Sequence, residues 1–438
     1  LNENLGWGAT MWAYSSRPPD PALMGDAWRE MWLQRLEAEP FLPMIWLDHQ
    51  NRDAYWHHGS VCEDYQKITA ATLAIGGWGD GYKNTVSHLV ENLTAPVKGI
   101  VGPWVHKYPH FAVPEPRIGF LQESLRWWDY WLKGRETGVL NDPSYTVYLM
   151  DGVRPQSCYK KRSGHWIVHD KWPKDLEIKR LFFHKNSSLA DEPSNLSTRI
   201  ASPQTCGGAA GEYCAIWLGP EMPTDQRVDD ALSACFTSEP ITDQLDMVGA
   251  PIITLRLSSE KPAAQIAVRL NHIHPDGAST RITYGVLNLC HRNGHAVAEP
   301  LIPDEIIEIS LTLDQIAYRI PKGHRICIAV SSTYWPLLWP SPAPVELLVH
   351  AGAIDIPVRL SGNQDERIFP PAETDSFWQI ETLRSARNER HQSIDMASGA
   401  VTLEILDDFG SAKDLEHDLV HGSVAREWWS IHPDDPLS

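Results

Sequence analysis

The sequence predicts an α/β unit followed by an all-β unit, with a short helical region ahead of both. Three observations predict it. Residues 67–135 alternate strand, helix, strand and helix, the signature of α/β architecture. From residue 145 onward, strand-length runs separated by turn residues dominate, as in a β-sandwich. Residues 1–62 carry aromatic and aliphatic side chains on a helical period. At roughly 150 residues per domain, 438 residues suggest about three domains, and these patterns divide them as 1–62, 63–178 and 179–438.

In the first region Leu23, Trp28, Met31, Trp32 and Leu36 follow a helical spacing, which Pro40 and Pro43 are expected to break. "PMIWLDHQNRDAYWHHGS" reads as one further helix ending at Gly59. "ITAATLAIGGWGDGY" is an apolar run ending in glycines, as a buried parallel strand entering a loop does. "NTVSHLVENL" has helix spacing, and "APVKGIVGPWVH" is a second short strand with a Gly-Pro stop. In "GFLQESLRWWDYWLKG", Leu121, Leu125, Trp128 and Leu132 form an apolar helical stripe, and Gly134 stands where a C-capping glycine belongs. Strands are then expected at "SYTVYLMDG", "RLFFHKN", "APIITLRLSS", "AQIAVRLNHIHPDG", "RITYGVLNLCHR", "IIEISLTL", "HRICIAVSS", "VELLVHAG", "DIPVRL" and "GAVTLEILDDFG". Residues 361–395 are polar and read as a long surface connection.

Composition removes several classes of function. With 38 Lys and Arg against 56 Asp and Glu, the formal charge is −18. Such a field repels phosphate backbones and anionic lipid surfaces, so neither nucleic acid nor membrane is an expected partner. No apolar run approaches the ~18 residues of a spanning helix. Seven cysteines without CxxC spacing argue against a disulfide scaffold or zinc ribbon and for a reducing, cytoplasmic location. No signal-peptide pattern of basic, apolar and small-residue stretches opens the sequence.

Two loops carry titratable residues just past expected parallel strands, where open α/β sheets build their sites. "GGWGDGY" presents Asp80 after three glycines that allow a sharp turn; "GPWVHKYPH" presents His106 between Pro103 and Pro109. One helix separates them, a spacing that suits adjacent strands and neighbouring loops. An acid after one strand and a histidine after the next fit the last two members of a Ser…Asp…His relay. A serine hydroxyl is a weak nucleophile and needs an imidazole base; the imidazole needs an acceptor on its other nitrogen to fix tautomer and orientation. Taken singly, Asp80 is an ordinary turn residue and His106 an ordinary loop histidine; the pair in this context is what points to chemistry.

The segments "LAIGGWGDGY", "GIVGPWVHKYPH" and "GFLQESLRWWDYWLKG" closely resemble the cocaine-esterase-like and X-Pro dipeptidyl-peptidase-like serine hydrolases, the CocE/NonD or peptidase S15 group. "TDQRVDDALSACFTSEPI", "VRLNHIHPDGASTRITYGVLNL" and "IPKGHRICIAVSSTYWPLLWPSP" extend the resemblance downstream. "PPDPALMGDAWREMWLQRLE" and "WLDHQNRDAYWHHGSVCEDY" resemble the cap of one bacterial branch, so nearly the whole chain is covered. The resemblance implies a helical cap remnant at 1–62, the C-terminal half of an α/β-hydrolase core at 63–178, and a galactose-binding-like jelly roll at 179–438, truncated at its end. It implies Asp80 as triad acid, His106 as triad base, and an acyl-pocket position at Tyr82. It also implies an ester or amide substrate, peptides included, no cofactor, and allows a homo-oligomer.

The sequence departs from the family at the nucleophile. No GxSxxG elbow is present; Ser15, Ser16, Ser60, Ser331 and Ser332 lack the strand–turn–helix context. The expectation is an internal fragment whose serine lies outside the chain, inactive alone. An X-Pro dipeptidyl-peptidase shares the same triad. A carbohydrate-binding jelly roll without catalysis is the alternative of another class, since fold does not fix function.

Other residues are weighed beside the pair. Tyr82 is either pocket wall or packing. Trp78, also a substrate-pocket candidate, and Trp104 are expected chiefly to pack the sheet end. His110, four residues after His106, invites a zinc reading that Tyr108-Pro109 opposes, so no metal is expected. Glu63 and Asp64 are either an amine-binding spot or solvated surface, and "HPDG" at 274–277 is a turn.

Overall fold

The computed structural model describes residues 3–170, 172, 176–216, 219–359 and 367–437. Its α/β unit is built on three parallel strands: β1 (Thr72–Gly77), β2 (Val97–Gly102) and β3 (Tyr145–Asp151). β1 and β2 run in register from Thr72 opposite Val97 to Gly77 opposite Gly102, so both strands end side by side. β2 pairs with β3 in parallel, and β4 (Gly164–His169) closes the unit antiparallel to β3. Helix Lys83–Asn92 makes the crossover from β1 to β2. It lies close because β2 carries Gly99, where a Cβ would sit 2.6 Å from Val90 Cγ2.

Helix Phe120–Lys133 ends, as its sequence predicts, at Gly134, which adopts φ +65° and donates its N–H to the Tyr130 carbonyl. Its expected apolar stripe faces outward: Trp128 is 51% exposed, and Leu121, Leu125 and Leu132 are exposed with it. The opposite face holds Trp127, 3% exposed, and an ionic cluster around the buried Glu123. There Arg126 donates to Glu123 (2.6 Å) and Asp142, and Arg367 donates to the same two carboxylates at 2.9 and 3.2 Å. Hydrophobic spacing marks this helix as amphipathic but does not say which face the rest of the protein covers.

Beyond β4 the structure is almost entirely antiparallel. Strand Leu347–Arg359 pairs with Leu176–Phe183 and with Ile252–Ser259, and the latter pairs with Ile307–Thr312. Strand Gln265–Ile273 lies between Ser279–Asn288 and Arg325–Ser331. Strand Ile316–Ile320 meets β3 in parallel at Tyr318 and Arg319, joining this curled sheet to the α/β strands. Ile253, Leu255, Leu257, Ile266, Val268 and Leu270 are fully buried in the shared core.

Helix Trp28–Ala38 ends just before Pro40, as expected, and Pro43 sits in the first turn of the next helix, Leu42–Asp48, where its missing N–H goes unused. The structure revises three expectations. The single helix expected to end at Gly59 is two, Leu42–Asp48 and Ala54–His57, because the Asp53 carboxylate caps Tyr55 N–H and binds His49 Nδ1 at 2.6 Å. "VELLVHAG" and "DIPVRL" form one strand, Leu347–Arg359. Gly352 inside it is a close approach rather than a turn, since a Cβ there would lie 2.4 Å from Phe183 Cδ2. The polar region 361–395 contains strands Ile380–Arg384 and Arg387–Ile394; residues 361–366 lie outside the described residues. These strands join the long hairpin Val401–Asp414 and Leu419–Ile431 in a separate four-stranded sheet. That sheet is exposed on much of one face, so its strands lack a dense apolar pattern. Among the described residues no helix is long and apolar enough to cross a membrane.

Candidate active site

The site forms where β1 and β2 end together. After Gly77 the chain turns, with Asp80 N–H donating to the Gly77 carbonyl at 3.0 Å. Two main-chain hydrogen bonds tie this loop to the one after β2: Trp78 N–H to Gly102 O and Gly79 N–H to Trp104 O, both 2.9 Å. Gly77 permits the approach, because a Cβ there would stand 2.2 Å from Trp104 O. The second loop is anchored in turn by Val105 N–H to Val113 O and His106 N–H to Ala215 O, both 2.9 Å.

These constraints bring Asp80 and His106 together. Nδ1 of His106 lies 2.9 Å from Oδ2 of Asp80. The other carboxylate oxygen, Oδ1, accepts Tyr82 N–H at 2.9 Å, which fixes the carboxylate as the chain enters helix Lys83–Asn92. The Cys214 thiol donates to Oδ1 at 3.8 Å. Asp80 is buried while the His106 side chain is 49% exposed. A carboxylate on Nδ1 holds the proton there and leaves Nε2 as the basic nitrogen. The arrangement is therefore an oriented imidazole base. Among the described residues no serine or threonine hydroxyl hydrogen-bonds that ring.

The neighbouring candidates separate. The Tyr82 ring is exposed beside His106, 5.7 Å between centroids. Trp78 is buried and donates its indole N–H to Tyr148 O at 2.8 Å, so it serves the sheet end. It also borders a partly open pocket of about 80 Å³ that Lys83, Arg162, Glu212 and Arg281 help to line. His110 does not join His106; it stacks on Phe120 at 5.5 Å, and burial pushes its pKa down. Glu63 is paired with Arg52, and Asp64 caps Gln66 N–H at 3.1 Å, so both serve their own surface turn.

Sequence reasoning missed the loop that covers the pair. Residues 206–216 return from the antiparallel part of the chain: Ala215 receives His106 N–H, Cys214 reaches Asp80, and the Tyr213 hydroxyl donates to Gly81 O at 3.1 Å. "TCGGAAGEYC" has the glycines of an irregular loop, but no local signal places it over residues more than a hundred positions upstream.

Comparison with known proteins agrees with this architecture. Residues 1–108 match the X-Pro dipeptidyl-peptidase (S15 family) model, and residues 137–384 match the X-Pro dipeptidyl-peptidase C-terminal non-catalytic domain. A Mycobacterium bovis protein named as a serine esterase is 24% identical over 349 residues, 69% of this chain and 51% of that protein. The cocaine esterase of a Rhodococcus species is 22% identical over 380 residues, covering 76% of this chain and 64% of that enzyme. The chain thus spans between half and two thirds of the length of these relatives. A CocE/NonD family hydrolase from Staphylococcus aureus superposes with a TM-score of 0.57 at 13% identity, over 76% of this chain and 63% of that one. With one family model matching residues 137–384, more than half of the chain, and the S15 model matching residues 1–108, the chain belongs to the X-Pro dipeptidyl-peptidase (S15) family.

Proposed function

We propose that this chain carries the acid and base of a serine hydrolase acting on acyl bonds of esters or amides. His106 takes the proton of a serine hydroxyl through Nε2 and returns it to the leaving group. Asp80 holds the imidazole in the required tautomer and stabilises the imidazolium that forms. The serine and its oxyanion donors are supplied by polypeptide outside these 438 residues, since no GxSxxG elbow occurs among them. In this reading residues 1–62 are a cap remnant, 63–178 hydrolase core and 179–438 a jelly roll. The observation that carries it is the 2.9 Å contact between Asp80 Oδ2 and His106 Nδ1 at the ends of two adjacent parallel strands.

The test is hydrolysis of p-nitrophenyl acetate by the complete enzyme that contains this chain. Asp80→Asn is expected to lower kcat on the order of 10⁴-fold through a wrongly oriented imidazole. A loss below about tenfold removes Asp80 from the relay. The 438-residue chain alone is expected to give no burst of p-nitrophenol. The S15 match favours a second reading with the same triad, an X-Pro dipeptidyl-peptidase. Preference for alanyl-prolyl-p-nitroanilide over simple esters would select it.

A further inference from the structure

Away from the Asp80–His106 pair, three histidines converge. His272 and His274 lie two residues apart where strand Gln265–Ile273 ends, so their side chains leave the same face. Their rings stack at 4.0 Å with planes 29° apart. His324 comes from the turn ahead of strand Arg325–Ser331, which pairs with the first strand at His272–Ile326 and Ile273–Arg325. That turn is fixed: Ile241 N–H donates to His324 O at 2.8 Å and Gly323 N–H to Ile241 O at 2.9 Å. One ligand nitrogen from each ring lies within 4.8 Å of the other two.

The outward-facing nitrogens are already engaged. His272 Nδ1 meets the Tyr318 hydroxyl at 3.0 Å, and His274 Nε2 meets Thr280 Oγ1 at 2.9 Å. The Thr280 hydroxyl donates to Val153 O at 2.9 Å, which leaves its oxygen to accept the His274 N–H. Metal-binding histidines characteristically have this outer partner, which fixes ring orientation and tautomer. Gly152 makes room for the group, since a Cβ there would sit 2.7 Å from His272 Cε1. His272 and His274 are buried, whereas His324 is partly exposed and gives access to solvent.

We propose that His272, His274 and His324 form a three-imidazole site for a divalent transition metal, zinc in the cell, with solvent as the fourth ligand. An all-nitrogen donor set suits Zn²⁺, Co²⁺ or Cu²⁺ and not Mg²⁺ or Ca²⁺, which require oxygen. His272 Nε2 and His324 Nδ1 stand 2.6 Å apart, sharing one proton in a hydrogen bond. Tetrahedral zinc with bonds of about 2.0–2.1 Å needs its ligand nitrogens about 3.3 Å apart, so the exposed His324 ring moves outward by about 0.7 Å. With His272 protonated on Nδ1 toward Tyr318, His324 transfers its N–H from Nδ1 to Nε2, and no net proton is lost. His274 binds through Nδ1, the nitrogen that Thr280 does not take. The metal then clamps the 322–324 turn to the end of the neighbouring strand.

The site is tested by titrating Co²⁺ into the metal-stripped chain carrying Cys214→Ser. That substitution removes the Asp80, His106 and Cys214 trio, the other group of potential ligands within 4.8 Å of one another among the described residues. One equivalent of Co²⁺ is expected to bind with the intense visible bands of a tetrahedral ion and to be displaced by Zn²⁺. His324→Gln, on the exposed turn, is expected to abolish those bands while leaving the far-ultraviolet circular dichroism unchanged. Thr280→Val is expected to weaken binding about tenfold or more. Absence of saturable binding below 100 μM metal, on the order of what a serviceable site requires, overturns the proposal. So does Co²⁺ binding that His324→Gln leaves intact.

Discussion

Replacing Gly77 by alanine tests whether the backbone, rather than the side chains, sets the Asp80–His106 contact. The added methyl would lie 2.2 Å from Trp104 O and 2.8 Å from Trp104 C. Ordinary carbon contacts begin near 3.5 Å, so the two loops must part by about 1 Å at their common base. Gly77 stands three residues before Asp80 and Trp104 two before His106, so the separation is passed directly to the pair. Overpacking of this kind costs about 1–3 kcal/mol. Loss of the Gly79 N–H to Trp104 O bond adds about 1 kcal/mol. The expected destabilisation of the α/β unit is therefore about 2–4 kcal/mol. Urea unfolding followed by tryptophan fluorescence measures it, and amide exchange at Gly79 reports the opening locally. The ¹⁵N-coupled imidazole signal of His106 is expected to lose its hydrogen-bonded Nδ1–H character. A Gly77→Ala chain within about 0.5 kcal/mol of the parent, with Gly79 still protected and the His106 signal unmoved, would refute the reasoning.

Further predictions address other parts of the molecule. Trp127→Ala is expected to cost about 3–5 kcal/mol because its ring is buried, whereas Trp128→Ala, on the open face, stays within about 0.5 kcal/mol; paired urea melts decide. Arg269 is fully buried and donates to Asp230 (3.1 Å) and Ser233 (2.9 Å), so Asp230→Ala strands its charge and is expected to cost about 3–5 kcal/mol. His417 receives support from the Asp414 carboxylate at 2.8 Å, which raises its pKa, first by hydrogen bonding and then by charge. The protonated ring is the one favoured by folding, so this contact is fully present below the ordinary histidine pKa and is lost as pH rises through the raised value. An NMR titration is expected to show His417 titrating above free histidine and falling back in Asp414→Asn.

The sequence was most legible where structure depends on near neighbours. "GGWGDGY" and "GPWVH" specify strand ends and turns through their own glycines and proline, and a single intervening helix makes adjacency of the loops the natural outcome. Gly134 was legible for the same reason, because a C-cap is a local feature. Long-range packing was not. Gly352 looks like a turn and acts as a recess for Phe183, a partner 169 positions away. The stripe from Leu121 to Leu132 has the right period but the wrong neighbour, since the ions around Glu123 claim the opposite face. Cys214 and Ala215 reach the site only through the return of the antiparallel region. His272 and His274 stand together in the sequence, but nothing local announces His324 as the third member.

The cluster of Glu123, Arg126, Asp142 and Arg367 has a consequence for how the molecule comes apart. It is a clasp whose last component, Arg367, belongs to the chain leading into the outer four-stranded sheet, so a charge-balanced quartet couples that appendage to the α/β unit. Greasy contacts tolerate the loss of one member; this fastening does not, because removing Arg367 leaves two carboxylates against a single guanidinium. Arg367→Ala should therefore loosen the appendage first, in a step of its own, before the central β-structure gives way.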